Sequence, residues 1–152
     1  MRAFEINPAE ADGLLHPVER PVPVPGPGEV LIRIRAAALN HRDLLVARNF
    51  YNAVPGRLVP LSDGAGVIVA TGPGGAEARI GERVAVAFFP DWRCGPITAA
   101  ARARSFGATL DGMLADYVAV PAHAAIPVPD HLTDAEAATL PCAGLTAWNA
   151  LT

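Results

Sequence analysis

At 152 residues with 51% apolar composition, the chain is one domain's worth of sequence. It can bury roughly two-thirds of its unfolded surface, so no disulfide or metal staple is required to fold it. A net charge of −3, with scattered arginines and no lysine, excludes a phosphate-tracking surface and sets nucleic acid aside as a partner.

The N-terminus, Met1-Arg2-Ala3-Phe4-Glu5-Ile6, alternates polarity like a first strand. It lacks the basic segment, apolar stretch and cleavage site of a signal peptide. No later run approaches the ~18 consecutive apolar residues of a membrane span, and two well-separated cysteines make no disulfide framework. A cytoplasmic location without membrane contact is therefore expected. Through residue 128, apolar and β-branched runs punctuated by Gly and Pro predict strands over 2–6, 14–19, 29–37, 66–71, 83–88, 115–120 and 125–127. Four prolines between residues 21 and 27 remove donors and fix φ, so that stretch is an extended connector. It leads into a strand that sets Val30, Ile32 and Ile34 against Leu31, Arg33 and Arg35.

The first helix is expected over 40–48, with Asn40 as its cap, Asp43 in its first turn, and Leu44, Leu45 and Ala47 at helical spacing. Residues 40 to 43 then lie at its mouth. Gly72-Pro73-Gly74-Gly75 follows a strand without opening a helix, which makes it a hairpin turn rather than a phosphate loop. From Phe88 to Gly112 runs a long irregular segment rich in aromatics, of the kind usually kept for function. At Thr133-Asp134-Ala135-Glu136 a capping box opens a second helical stretch. It is expected to run to Leu140, to be interrupted by Pro141, and to resume over 143–151 with Leu145, Trp148 and Leu151 along one apolar face.

Three segments carry a resemblance: Leu39-Asn40-His41-Arg42-Asp43, Pro60-Leu61-Ser62-Asp63-Gly64-Ala65-Gly66-Val67, and Leu140-Pro141-Cys142-Ala143-Gly144-Leu145-Thr146-Ala147-Trp148. In order and spacing they resemble the medium-chain dehydrogenase/reductase family, near its quinone oxidoreductase-like and NAD(P)-dependent alcohol dehydrogenase-like members. The resemblance implies a mainly β fold with short helices, a GroES-like partly open β-barrel over residues 1–130. Residues 131–152 would be a helical connector toward a nucleotide-binding domain whose G-x-G-x-x-G fingerprint this sequence lacks. Zinc members of the family hold metal with a Cys, a His-Glu pair and a second Cys where this chain has Asn40, Ser62-Asp63 and Cys142. A tetrahedral site needs three converging protein donors, so the zinc-independent branch and no metal are expected. After Gly81-Glu82-Arg83-Val84, where zinc relatives carry four cysteines for a structural metal, only Cys94 follows.

What the resemblance implies for function is hydride transfer between NAD(P) and a carbonyl, alcohol or enone, with the 152 residues alone inactive. Asn40 is expected to face the nicotinamide and the substrate oxygen, to cap the helix, or both. Tyr51 is either a donor to a developing enolate or a packed loop aromatic. Asp43 and Asp63 match acidic positions of the motif, with Asp63 expected to accept backbone or Arg hydrogen bonds because a buried carboxylate must be paired. His41 and Thr146 fall at cofactor-contacting positions, with a bond to its own helix as the other reading of Thr146. Arg42 falls where relatives place a proton relay, which a guanidinium cannot serve, so a charge contact with the cofactor is expected of it, against a reading of surface charge. Cys142 is expected to behave as a small buried hydrophobe. Phe88, Phe89 and Trp92 would wall the cleft, and the C-terminal face would pair two copies into a homodimer. Two rival readings stand beside this one: a stand-alone GroES-like binding module, and an enoyl reductase domain acting on thioester-linked chains.

Overall fold

In the computed structural model of the chain, residues 1–7, 15–48, 50, 56–74 and 79–152 are described. Seven strands and four short helices follow one another: β1 (Arg2–Glu5), β2 (His16–Glu19), β3 (Glu29–Ala38), α1 (His41–Ala47), β4 (Asp63–Thr71), β5 (Arg83–Val86), α2 (Ala99–Arg102), β6 (Tyr117–Pro121), β7 (Ala125–Pro127), α3 (Asp134–Ala138) and α4 (Leu145–Leu151). The expected β-rich architecture with short helices is what the chain adopts. Five strands form an antiparallel sheet in the order β6-β3-β4-β5-β7, and β1 and β2 form a separate antiparallel ribbon. That ribbon closes onto the sheet through an Ala3–Ala115 bridge and a hydrogen bond from the Phe4 N–H to the Leu114 carbonyl at 3.0 Å.

Inward-facing residues of the sheet make the main core. Val30, Ile32, Ile68, Val84, Val86 and Val120 pack with Phe106 and Met113 from the loop side. Register shifts between Leu31 and Ile32 and between Ile34 and Ala36 bend β3 against β4, a bulge being the usual way a sheet curves toward closure. The bend accounts for Leu31, which is buried although the alternation placed it with the exposed Arg33 and Arg35. Gly66 sits where β4 crosses β3 most closely: a Cβ there would lie 2.1 Å from the Arg33 carbonyl oxygen. The Asp-Gly-Ala-Gly motif is thus a backbone-approach device.

Two satellite clusters position the remaining helices. Ile6, Val46, Leu58 and Ala108 hold α1 against the end of β1, and Ala137 and Ala138 seat α3 on Ala65 and Ala85 of the sheet. Arg83 reinforces that seat, its Nε donating to Asp134 at 3.0 Å and its guanidinium to the Leu132 carbonyl at 2.6 Å.

Several boundaries differ from the sequence reading. β4 starts at Asp63 rather than at residue 66, which puts Asp63 in the strand. β5 stops at Val86 and leaves Phe88 in the loop, while β6 starts at Tyr117, with Ala115 making only the bridge to Ala3. The capping box is present, the Thr133 hydroxyl accepting from the Glu136 N–H at 3.2 Å and the Glu136 carboxylate accepting from the Thr133 N–H at 2.8 Å. Pro141 does not interrupt the helical path. Leu140–Gly144 forms a π-helical turn with the proline at its start, and the Gly144 N–H reaches back to the Thr139 carbonyl at 3.2 Å. A wider turn has room for a ring that lacks an N–H, so the chain continues into α4.

Candidate functional site

Three elements converge on one polar cluster: the mouth of α1, the start of β4 and the π-helical turn. Their local sequences explain why. Asn40 takes the N-cap position with extended backbone (φ −124, ψ 157) and forms a capping box with Asp43, its side chain facing the Asp43 backbone N–H. Asp43 completes the box by accepting from the Asn40 backbone N–H at 2.8 Å. The expectation that Asn40 caps the helix is met, and its Nδ2 lies buried with no hydrogen-bond partner among the described residues.

Just before β4, Leu61 is buried with φ at +71, a left-handed conformation that costs a non-glycine residue about 1–3 kcal/mol. The neighbouring loop secures the turn. Gly107, itself at φ +67, packs its Cα so close that a Cβ would lie 2.5 Å from the Leu61 carbonyl carbon. The Met113 N–H then donates to the Leu61 carbonyl at 2.8 Å. This held turn aims Ser62 and Asp63 inward, both fully buried.

Asp63 is the hub of the cluster. One carboxylate oxygen accepts the Ser62 hydroxyl at 2.6 Å, and the other accepts the backbone N–H of Cys142 at 2.9 Å, from 79 residues away. The expectation that Asp63 accepts a backbone hydrogen bond is met, with the Ser62 hydroxyl in place of an arginine. Asp43 is also buried, its side chain only 5% exposed, and its Oδ1 makes no hydrogen bond. Burial pushes its carboxyl above the ordinary value, and the nearby Asp63 charge adds to that, while the Asn40 N–H and the Arg42 guanidinium oppose it. Burial likewise pushes the half-buried Cys142 thiol up, helped by the charge of Asp63. The neutral thiol is the favoured form.

Arg42 turns inward. Its guanidinium donates to the Phe106 carbonyl at 3.1 Å, lies 4.5 Å from the centre of the Phe88 ring, and stands 3.5 Å from Asp43 Oδ1. Phe88 stacks edge-on with Phe89 at 4.5 Å, and Phe89 with Trp92 at 6.2 Å, so the three aromatics expected as a wall do form a ladder. His123 ties the loop down at the Pro90 carbonyl, 2.7 Å away. His41 at the helix mouth and Thr146 on α4 are exposed. Tyr51 lies outside the described residues. The structure thus gathers Asn40, Arg42, Asp43, Asp63 and Cys142 and leaves His41 and Thr146 at the surface. Sequence reasoning missed the roles of Ser62 and Phe106. Ser62 stands beside Asp63 in the quoted motif, but nothing local in the sequence marks Phe106 as a partner of Arg42.

Two clefts, of about 450 and 420 Å³, lie elsewhere, one beside the β1–β2 ribbon at Phe4 and Leu114 and the other beneath Arg20, Arg104 and Tyr117. Neither includes Asn40, Asp43, Asp63 or Cys142. Among the described residues no helix is long and apolar enough to cross a membrane.

Residues 26–130 match the alcohol dehydrogenase GroES-like domain, and the chain belongs to that family, within the medium-chain dehydrogenases/reductases. A zinc-type alcohol dehydrogenase-like protein of Schizosaccharomyces pombe is 42% identical over 140 residues, covering 90% of this chain and 40% of that protein. Among solved structures, a cobalt- and zinc-bound thermostable alcohol dehydrogenase from Pyrobaculum aerophilum superimposes with a TM-score of 0.79 at 33% identity, over 98% of this chain and 47% of that one. An NAD-dependent alcohol dehydrogenase gives the same TM-score of 0.79 at 34% identity, over 98% of this chain and 46% of that one. The chain therefore spans a little under half the length of these relatives.

The residues at the cluster do not fit a metal ion. Among the described residues no three His, Cys, Asp or Glu side chains gather to hold one. Asp63 already accepts two hydrogen bonds, and Asn40 and Ser62 offer only neutral donors. The buried Asn40 Nδ2 has a hydrogen bond to give and no partner among the described residues.

Proposed function

We propose that this chain is the substrate-side domain of a zinc-independent, NAD(P)-dependent oxidoreductase that moves hydride between a nicotinamide and a carbonyl, alcohol or enone. The donor set where α1, β4 and the π-helical turn meet carries the reading. It consists of one amide donor with no partner among the described residues, two buried carboxylates held by hydrogen bonds and the Cys142 thiol, and among the described residues no three such side chains are set to hold a metal. When bound, the nicotinamide gives or takes the hydride. The chain's own groups orient and polarise. Asn40 Nδ2 suits a substrate oxygen, stabilising its developing negative charge by a hydrogen bond where metal relatives use a Lewis acid. Asp43 holds the Asn40 backbone from behind, and Asp63 fixes the floor of the cluster. His41 and Thr146 are assigned to the cofactor side, Tyr51 to the substrate oxygen, and Phe88, Phe89 and Trp92 to the wall. Arg42, engaged by Phe106, Phe88 and Asp43, is assigned to steadying that wall rather than to the cofactor. Residues 131–152 form the connector toward a nucleotide-binding domain, a reading supported by relatives about twice as long as this chain.

Elemental analysis tests the metal-free reading: the purified chain, after mild chelation, is expected to retain well under about 0.1 zinc per molecule. One zinc per chain surviving chelation would overturn it. Titration with NADH or NADPH is expected to show weak binding, since the pyrophosphate contacts that dominate dinucleotide affinity come from a Rossmann helix N-terminus. A micromolar dissociation constant would place those contacts in this chain instead.

A further inference from the structure

The cluster raises a mechanical question that the proposed chemistry leaves open: what holds the C-terminal helical segment to the barrel at the site, if no metal does. Ala137 and Ala138 seat α3, yet they lie before the π-helical turn, and α4 beyond it is exposed along its length. Between them, one polar contact reaches the barrel interior. The Cys142 N–H leaves the helical hydrogen-bond ladder and donates to Asp63, a side chain with no exposed surface whose other oxygen is held by the Ser62 hydroxyl. A π-helical turn displaces the backbone so that an amide is freed for such use, and these turns are common at functional sites.

We propose that the Asp63 carboxylate is a positioning residue that cross-links β4 to the π-helical turn: it does with one hydrogen bond across the junction, steadied by a second from Ser62, what a bound metal would do there. Observations on different elements agree. The strained Leu61 turn, packed under Gly107, aims the carboxylate. Pro141 has no N–H to restore the regular ladder at its own position, which favours the wider turn. The clamp sets where α4, and with it Thr146, leaves the barrel. It rests on the zinc-free reading only in having no metal as the cross-link, and it stands whatever the parent protein's substrate is.

Native-state hydrogen exchange on the full chain tests it, with the Cys142 amide compared against the core amides of Ile68 and Val84. Asp63→Ala is expected to speed exchange at Cys142 and through α4 by about tenfold or more, the ratio expected for losing a hydrogen bond to a charged group. Core amides stay within about threefold of wild type. Asp63→Asn, whose amide oxygen still accepts from Cys142, is expected to recover most of that protection. Unchanged exchange at Cys142 in Asp63→Ala overturns the clamp, as do equal losses at Cys142 and the core in both variants. Adding zinc or a chelator to wild type separates the two ideas: no change supports a metal-free cross-link, whereas zinc-dependent protection of Cys142 overturns the zinc-free reading even where the Asp63 variants behave as expected.

Discussion

At the mouth of α1 the chain buries polar groups that most proteins leave in water, and along α4 it leaves in water apolar groups that most proteins bury. Asp43 and Asp63 are enclosed by the protein, whereas Leu145, Trp148 and Leu151 are 55%, 69% and 88% exposed. The contrast locates a boundary. Before the π-helical turn α1 and α3 are each seated on the barrel by buried apolar residues, and the buried carboxylates persist because backbone amides and Arg42 answer them. Past it, α4 owes nothing to the barrel.

Placing the same substitution on either side of that boundary gives the largest effect. Ala137 has no exposed surface and packs against Ala65 and Ala85, so Ala137→Glu forces a charge and extra volume between helix and sheet. It is expected to cost about 4 kcal/mol or more in urea denaturation. Ala147→Glu, ten positions on and exposed, should fall within about 0.5 kcal/mol of wild type. Equal costs would erase the boundary.

Proton linkage sharpens the other half of the comparison with a smaller effect. Asp43 is held above its ordinary value of 3.8 by burial, so the folded state keeps a proton that the unfolded state releases. Stability from this group is therefore fully present below the unfolded value and is lost as pH rises through the folded one. Wild type is expected to lose ground against Asp43→Asn as pH rises across that window, read from denaturation curves of both proteins. Asp116 and Glu136, held below their ordinary values by the N–H groups of Arg2 and Thr133, act in the opposite sense but equally in both proteins. A wild type that gains on Asp43→Asn as pH rises would show that Asp43 is instead held ionised.

What was legible in the sequence divides along the same line. Strands, the first helix and the capping box at Thr133 were readable because each is encoded within a few residues by alternation, spacing or a cap. The three motifs fall on the mouth of α1, the start of β4 and the last helical segment, which the structure brings together. The cluster's wiring was not readable. Asp63 meets Cys142 across 79 residues and Arg42 meets Phe106 across 64, and no local pattern encodes such a pairing. Pro141 misled for a related reason: its local rule, that proline ends a helix, was overridden by a turn wide enough to carry it and by a distant carboxylate that took up the freed amide.

The smallest effect on stability should be the largest on association. Leu145, Trp148 and Leu151 recur at threes on α4, so they share a face. Each fully buried side chain of this kind is worth roughly 1.5–3 kcal/mol, and the barrel claims none of them. A two-fold pairing of α4 with the same helix of a second copy would bury the stripe against itself, since an isologous contact needs only one self-complementary surface. Seven residues of isolated helix are marginal in water, so pairing would order α4 as well. Sedimentation at about tens of micromolar is expected to show a dimer for wild type and a monomer for Trp148→Glu. The two should unfold within about 0.5 kcal/mol of each other once concentration is extrapolated away. A wild type that stays monomeric would leave the stripe free for the remainder of a longer parent chain, and a Trp148→Glu variant that still dimerises would move the contact off α4 altogether.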